Sequence, residues 1–114
     1  MQLERRQSER DRRASWRVSA VCAVRTAGDL FHLSQSEDIG PGGITLRRPS
    51  DLPMSPETPV SLTFELPGTQ TTIDLEGLVV TDRRHGGFRR TGIRFVRASR
   101  EQVAVLMDFC RRTG

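Results

Sequence analysis

The sequence predicts an all-β-dominated domain of about six short antiparallel strands with one C-terminal helix. Three observations carry that reading. Apolar and polar residues alternate with period two in several runs, most clearly at Val60, Leu62, Phe64 and Leu66. Glycine and proline clusters separate these runs at the spacing of turns. Only the last stretch, from Ser99, changes to helical spacing.

The elements follow in order. Residues 1–15 are polar and charge-dense, with Arg5, Arg6, Arg10, Arg12 and Arg13 set against Glu4, Glu9 and Asp11. Glu9 and Arg13 are spaced for a helical pair, but no apolar face exists to bury, so the segment reads as a solvated arm. Val18, Ala20, Cys22 and Val24 then alternate as a first strand, and Ala27-Gly28-Asp29 signals a turn. A second strand over 30–34 returns towards Glu37 and Asp38. The loop Gly40-Pro41-Gly42-Gly43 leads to a third strand at Ile44 and Leu46, ending near Pro49. Residues 50–59 contain Pro53, Pro56 and Pro59 and read as an irregular loop. The fourth strand ends at Pro67-Gly68, where glycine supplies positive φ. Ile73, Leu75 and Val79 define a fifth strand, with Gly77 as a candidate bulge or bend. His85-Gly86-Gly87 turns the chain into a sixth strand over 88–96. Ser99 and Gln102 have capping-box spacing. Val103, Leu106, Met107 and Cys110 form the helix's apolar face, and Arg111 and Arg112 favour its C-terminal dipole. The expected packing places this helix over an opening or edge of the sheet.

With 114 residues the chain suits a single domain, and its 35% hydrophobic content is low enough to place part of it outside the core. All 18 basic residues are arginine and the formal net charge is +4. The absence of lysine has two compatible readings: codon bias in a GC-rich genome, and a use for guanidinium forks, which suit phosphates and guanine edges. Cys22 and Cys110 read as buried free thiols rather than a disulfide framework. No apolar stretch reaches membrane-spanning length, and the charged N-terminus does not resemble a signal peptide, so the expectation is a cytoplasmic protein. His32 and His85 have no partners at metal-ligand spacing, and no cofactor is expected. Arg83, Arg84, Arg89 and Arg90 flank a turn and read as a solvated basic tip.

Two clusters remain for chemistry. One is Arg12-Arg13-Ala14-Ser15-Trp16-Arg17, with an R-x-x-x-R pair at Arg13 and Arg17. The other is Asp38-Ile39-Gly40-Pro41-Gly42-Gly43. Arginines fork onto phosphate oxygens or the O6/N7 edge of guanine. A carboxylate accepts from guanine N1–H and N2–H₂, and glycines permit close backbone approach. Trp16 has two readings, stacking on a base or anchoring the arm to the domain. No nucleophile–base pair, paired catalytic carboxylates or metal cluster points to an enzyme.

These motifs resemble the PilZ family of cyclic di-GMP receptors. That family carries R-x-x-x-R before its first strand, D/N-x-S-x-x-G about twenty residues later, and G-[IV]-x-F near the end of its barrel. Arg13 and Arg17, then Asp38 and Gly43, then Gly92-Ile93-Arg94-Phe95 match in order, over residues 12–112. The resemblance implies a six-stranded antiparallel PilZ-like β-barrel with a C-terminal helix, a flexible charged arm at 1–11 and a domain at 12–114. It implies cyclic di-GMP as ligand, held by Arg12, Arg13, Trp16, Arg17, Asp38, Gly40, Gly43 and Arg94. It further implies an unidentified protein partner that reads the ligand-induced movement of the arm. Arg12, preceding the first motif arginine, implies two intercalated ligand molecules per protomer. Arg94 either faces solvent or reaches the ligand.

One position departs from the pattern: the motif serine is Gly40. The lost hydrogen bond is expected to cost about 0.5–1.5 kcal/mol, or roughly two- to tenfold in affinity. Ser36 could replace it only through a shift of the loop. Gly40→Ser is expected to leave binding unchanged or to improve it. The competing readings are an adaptor that no longer binds nucleotide and a nucleic-acid-binding barrel. The second lacks stacking platforms, with no Tyr and five Phe.

Overall fold

The computed structural model describes residues 16–27, 32–49 and 52–113. The arm at 1–11, both Arg12 and Arg13, and the predicted Gly28-Asp29 turn lie outside them. Among the described residues, seven strands and a helix follow in order: β1 Val18–Ser19, β2 Ala23–Ala27, β3 His32–Ile39, β4 Gly43–Arg48, β5 Pro59–Glu65, β6 Thr72–His85, β7 Phe88–Val96 and α1 Arg100–Thr113. The sheet order is β1-β3-β2-β5-β6-β7-β4, and β4 pairs back onto β3. Every pairing is antiparallel. Strands β2 to β7 therefore form a closed six-stranded barrel, as the resemblance implies, and closure removes the exposed edges of the sheet.

The first predicted strand is divided in two because β3 requires it. Val18 pairs with Ile39 and Ser19 with Asp38, whereas Ala23 pairs with Gln35 and Val24 with Ser34. The sums of paired residue numbers differ by one, so β1–β2 carries one extra residue relative to β3. Val21 occupies this bulge and is 63% exposed. The buried Ser36 hydroxyl secures it: Ser36 Oγ donates to the Ala20 carbonyl at 2.6 Å and accepts from the Cys22 amide at 2.9 Å. The register of β3 against β4 also shifts between Ser36 and Asp38.

On β6 the irregularity lies between Val79 and Thr81, not at Gly77. Gly77 stays in register, opposite Val60 and Phe95. It faces the core, where a Cβ would stand 2.5 Å from Ile93 Cγ2. The missing side chain there serves close packing.

Alternating residues of β2 to β7 fill the interior with Val24, Ile39, Ile44, Leu62, Phe64, Leu75 and Ile93 among others. Phe64 and Phe95 stack with ring centroids 6.5 Å apart. The helix begins as predicted. The Ser99 amide donates to Gln102 Oε1 at 3.0 Å, and the Gln102 amide donates to Ser99 Oγ at 3.1 Å. Leu106, Phe109 and Cys110 bury against the barrel core, while Val103 and Met107 are only half-buried. Gln102 Nε2 also donates to the Asp74 carbonyl at 2.7 Å, tying the first helical turn to β6.

A charged network, not an apolar plug, joins β4, β6 and β7 towards the β6–β7 hairpin. Arg48 and Asp82 side chains are each 2% exposed, with Arg48 Nη2 donating to Asp82 Oδ1 at 3.0 Å. Arg48 Nε donates to Thr91 Oγ1, and Thr91 Oγ1 donates to Asp82 Oδ1. Arg89 Nε and the Met54 amide donate to Asp82 Oδ2. Burial alone would raise the Asp82 carboxyl, but the hydrogen bonds from Thr91, Met54, Arg48 and Arg89 outweigh it and hold the value down at about 2. Arg89 thus belongs to a buried network, and Arg90 pairs with Glu37 at 2.8 Å. The tip is not simply solvated.

The depressed Asp82 pKa has a definite linkage sign. Its stabilisation is present above the unfolded carboxyl value of 3.8 and is lost as pH falls through about 2. Denaturant midpoints should drop across that acid window, with a contribution of roughly 2 kcal/mol from this group. Asp82→Asn leaves Arg48 buried without its anion and should cost about 3–5 kcal/mol at neutral pH. That variant should also lose the acid-dependent component; an identical acid slope in both proteins would contradict the assignment.

Candidate functional site

The segment entering the barrel crosses the loop between β3 and β4. Trp16 packs against the hydrophobic core, so in this conformation it anchors the entering chain. Its carbonyl oxygen lies directly on Gly40, and Arg17 Cδ would stand 2.9 Å from a Cβ there. The loop is a tight turn: the Gly40 amide donates to the Gly43 carbonyl at 2.9 Å, and the Phe95 amide donates to the Gly42 carbonyl at 2.9 Å. It therefore follows the end of β7 closely.

Gly43 pairs with Arg94, and directly opposed residues of an antiparallel pair project to the same face. A Cβ at Gly43 would collide with the Ile93 carbonyl oxygen and stand 2.7 Å from Arg17 Nη2. The Arg17 guanidinium thus lies where Gly43 has no side chain, on the outer wall shared with the exposed Arg94. Arg17 Nε is 3.9 Å from Asp38 Oδ1, and the two side chains are each about a third exposed. That distance is beyond hydrogen-bonding range. Asp38 Oδ1 is itself buried and accepts no hydrogen bond among the described residues.

Electrostatics extend the cluster to the helix. Burial pulls the Arg17 guanidinium below its ordinary value, with the charges of Asp38 and Cys110 opposing that shift. Burial pushes the Cys110 thiol up, and the Arg17 charge opposes it. Cys110 Sγ lies 3.5 Å from the Ile39 carbonyl, beneath the strand that carries Asp38. Arginine, aspartate and the helix's last turn meet around one strand end.

Of the predicted site residues, the structure brings Trp16, Arg17, Asp38, Gly40 and Gly43 together and puts Arg94 on the same wall. Ser36 does not stand in for the missing motif serine, because its hydroxyl is occupied inside the barrel at the β1–β2 bulge. Sequence reasoning missed Ser19 and Thr45, the partners of Asp38 on its two sides. Their positions depend on the two register shifts, which periodicity alone does not reveal.

The sequence profile of the PilZ domain family matches residues 4–112. The chain belongs to the PilZ family. PilZ domains are receptor domains without catalytic activity. Among solved structures, the chain is similar to the inhibitor of motility MotI/DgrA from Bacillus subtilis, with TM-score 0.77 and 20% identity over 84% of this chain. It spans 47% of that longer protein. The PilZ domain of YcgR from Escherichia coli, solved with cyclic di-GMP, gives TM-score 0.72 and 14% identity, covering 85% of this chain and 87% of that one. The PilZ domain of CeSA from a cellulose-synthesizing bacterium gives TM-score 0.64 and 21% identity, covering 86% and 97%. These likenesses establish a shared fold. No curated protein matches the sequence. Among the described residues, no helix is long and apolar enough to cross a membrane.

The contact at Gly40 changes what a serine there should do. A side chain meets the Trp16 carbonyl, so Gly40→Ser should displace residues 16 and 17 while the barrel stays folded. The single tryptophan then reports the change: its emission should shift towards that of a solvent-exposed indole, with a stability loss within about 1–3 kcal/mol. An unchanged emission maximum would show that the loop yields instead.

Proposed function

We propose that this PilZ domain is a cyclic di-GMP receptor whose ligand bridges the entering arm and the barrel wall. The observation that carries the reading is the Arg17 guanidinium lying on Gly43 beside Asp38, whose Oδ1 is buried yet accepts no hydrogen bond among the described residues. A buried carboxylate oxygen without a donor is costly, and guanine N1–H and N2–H₂ supply donors of the right kind. Arg17 is then free to fork onto phosphate oxygens or a guanine edge. In this reading Arg13 supplies the second motif guanidinium, and Gly40 and Gly43 let the ligand approach the backbone. Arg94 extends the cationic wall, and Trp16 moves with the arm.

The arm at 1–11 and the domain at 12–114 have different tasks. Ordering a charged segment costs conformational entropy, and neutralisation by an anionic ligand offsets that cost. The ordered arm then presents a changed surface to a protein partner. A cytoplasmic location follows from the same reading, because the ligand is an intracellular second messenger. A second reading, an adaptor that binds no nucleotide, draws on Gly40: the motif hydroxyl is missing and Trp16 covers its place.

Calorimetry separates the two. Cyclic di-GMP should bind with micromolar or tighter affinity, and Arg13→Ala or Arg17→Ala should each cost about 2–5 kcal/mol. Asp38→Ala should weaken binding in the same direction. Absence of heat with folded wild-type protein selects the adaptor, and full affinity in both arginine variants moves the site elsewhere.

Stoichiometry tests Arg12 separately. Two stacked ligands bring four phosphates together, and a third guanidinium suits that charge. The titration should therefore saturate at two ligands per protomer, and Arg12→Ala should lower the ratio towards one. Saturation of the wild type at one ligand would remove Arg12 from this role and leave the receptor reading intact.

A further inference from the structure

A concavity lies at the other end of the same strands. It is an open groove of about 690 Å³, lined by Leu33, Ser34 and Gln35 of β3, Arg47 and Pro49 at the end of β4, and the β6–β7 turn from His85 to Phe88. That volume is in the usual range for binding pockets. The proposed nucleotide site uses Asp38, Gly43 and Arg94, towards the opposite ends of β3, β4 and β7.

The walls of this pocket are chemically specific. The Arg47 guanidinium carbon lies 3.8 Å from the centroid of the Phe88 ring, and His85 packs on the same ring at 5.2 Å. Contact with the ring face restrains the Arg47 guanidinium, which keeps its N–H donors for a further partner. Arg47 has no carboxylate partner among the described residues. Leu33, on the facing wall, is 62% exposed. Ser34 Oγ is buried and has no hydrogen-bond partner among the described residues. An arginine restrained by an aromatic face and a bare aliphatic side chain thus meet in one concavity, and arginine is among the residues enriched at interface hot spots.

Charge selects the occupant. Arg47, Arg48, Arg83, Arg84, Arg89 and Arg90 surround this end of the barrel. Asp82 is taken by Arg48 and Arg89, and Glu37 by Arg90. The local excess is positive, but Arg48, Arg89 and Arg90 are already paired, which shortens the row of guanidiniums that a nucleic-acid backbone needs. One fixed fork beside an apolar contact matches a carboxylate next to an aromatic or aliphatic side chain. We propose that this pocket docks an acidic peptide segment of a partner protein, with a carboxylate on Arg47 and an apolar side chain against Leu33 and Phe88. The proposal does not depend on nucleotide binding at Arg17.

The test uses the full chain and a short fluorescein-labelled peptide in which glutamates flank a central phenylalanine. Fluorescence anisotropy should show saturable binding, with amide NMR shifts concentrated at Leu33, Arg47 and Phe88. Arg47→Gln, a surface change, should weaken binding about tenfold through loss of a charge-assisted pair, and Leu33→Ser should weaken it independently. Replacing the peptide's glutamates by glutamines, or its phenylalanine by glycine, should also reduce binding. No saturable binding, equal binding of the peptide without phenylalanine, displacement by duplex DNA, or full affinity in Arg47→Gln would each overturn the proposal.

Discussion

Strand β3 is hydrogen-bonded along both edges, and the rest of the molecule depends on that constraint. Its pairing with β1 and β2 on one side and β4 on the other closes the sheet into a barrel. Closure around six strands demands strong local coiling, and β-bulges supply it. Two register shifts occur next to each other, one at Val21 and one between Ser36 and Asp38. Ser36 links them, since its hydroxyl satisfies backbone groups that the first bulge frees. The second shift turns the following residues so that Ile39 enters the core while Asp38 faces outward. The carboxylate of the candidate site is therefore positioned by the device that closes the barrel.

The two ends of the barrel use opposite chemistry. Near the helix, apolar Leu106, Phe109 and Cys110 complete the core. Near the β6–β7 hairpin, Arg48, Asp82, Thr91 and Arg89 complete it through charge-assisted hydrogen bonds. Such a network confers little net stability over an apolar equivalent, but removing one member is expensive. Its geometric consequence is the larger one. It fixes the hairpin against β4 and the loop at Leu52 and Met54, whose backbone groups it also engages. The Phe88–Arg47 stack is built on that fixed hairpin.

Much of this was legible in the sequence, for physical reasons. The strand over 59–65 and the capping box at Ser99 and Gln102 are local signals, period-two burial and reciprocal hydrogen bonding across one turn, and both appear as expected. The short motifs brought Arg17, Asp38, Gly40 and Gly43 to one place because they flank the turn between paired strands. The misses are non-local. Nothing in the local pattern marks Arg48 as fully buried, because its anion lies 34 residues away on β6. Gly77 resembles a bulge and is instead a packing glycine, because its neighbour in space is Ile93. The break at residues 20–22 depends on the register of β3, which periodicity in the first strand cannot encode.

The outer wall around Asp38 is shaped as much by missing side chains as by those present. Gly40 admits the Trp16 carbonyl, Gly43 admits the Arg17 guanidinium, and a Cβ at Gly92 would stand 2.7 Å from Thr81 Oγ1. Neither Gly40 nor Gly43 has positive φ, so close approach, rather than backbone conformation, explains them. This distinguishes Gly40 from a simple loss of the motif hydroxyl. A serine would offer a hydrogen bond but would also push away the segment carrying Arg17. With glycine, the entering chain settles directly on the loop and brings its guanidinium to Asp38 without closing the gap to hydrogen-bonding distance. The resulting arrangement holds charge and orientation in place while leaving a buried acceptor unsatisfied among the described residues, which is the state from which an external donor gains most.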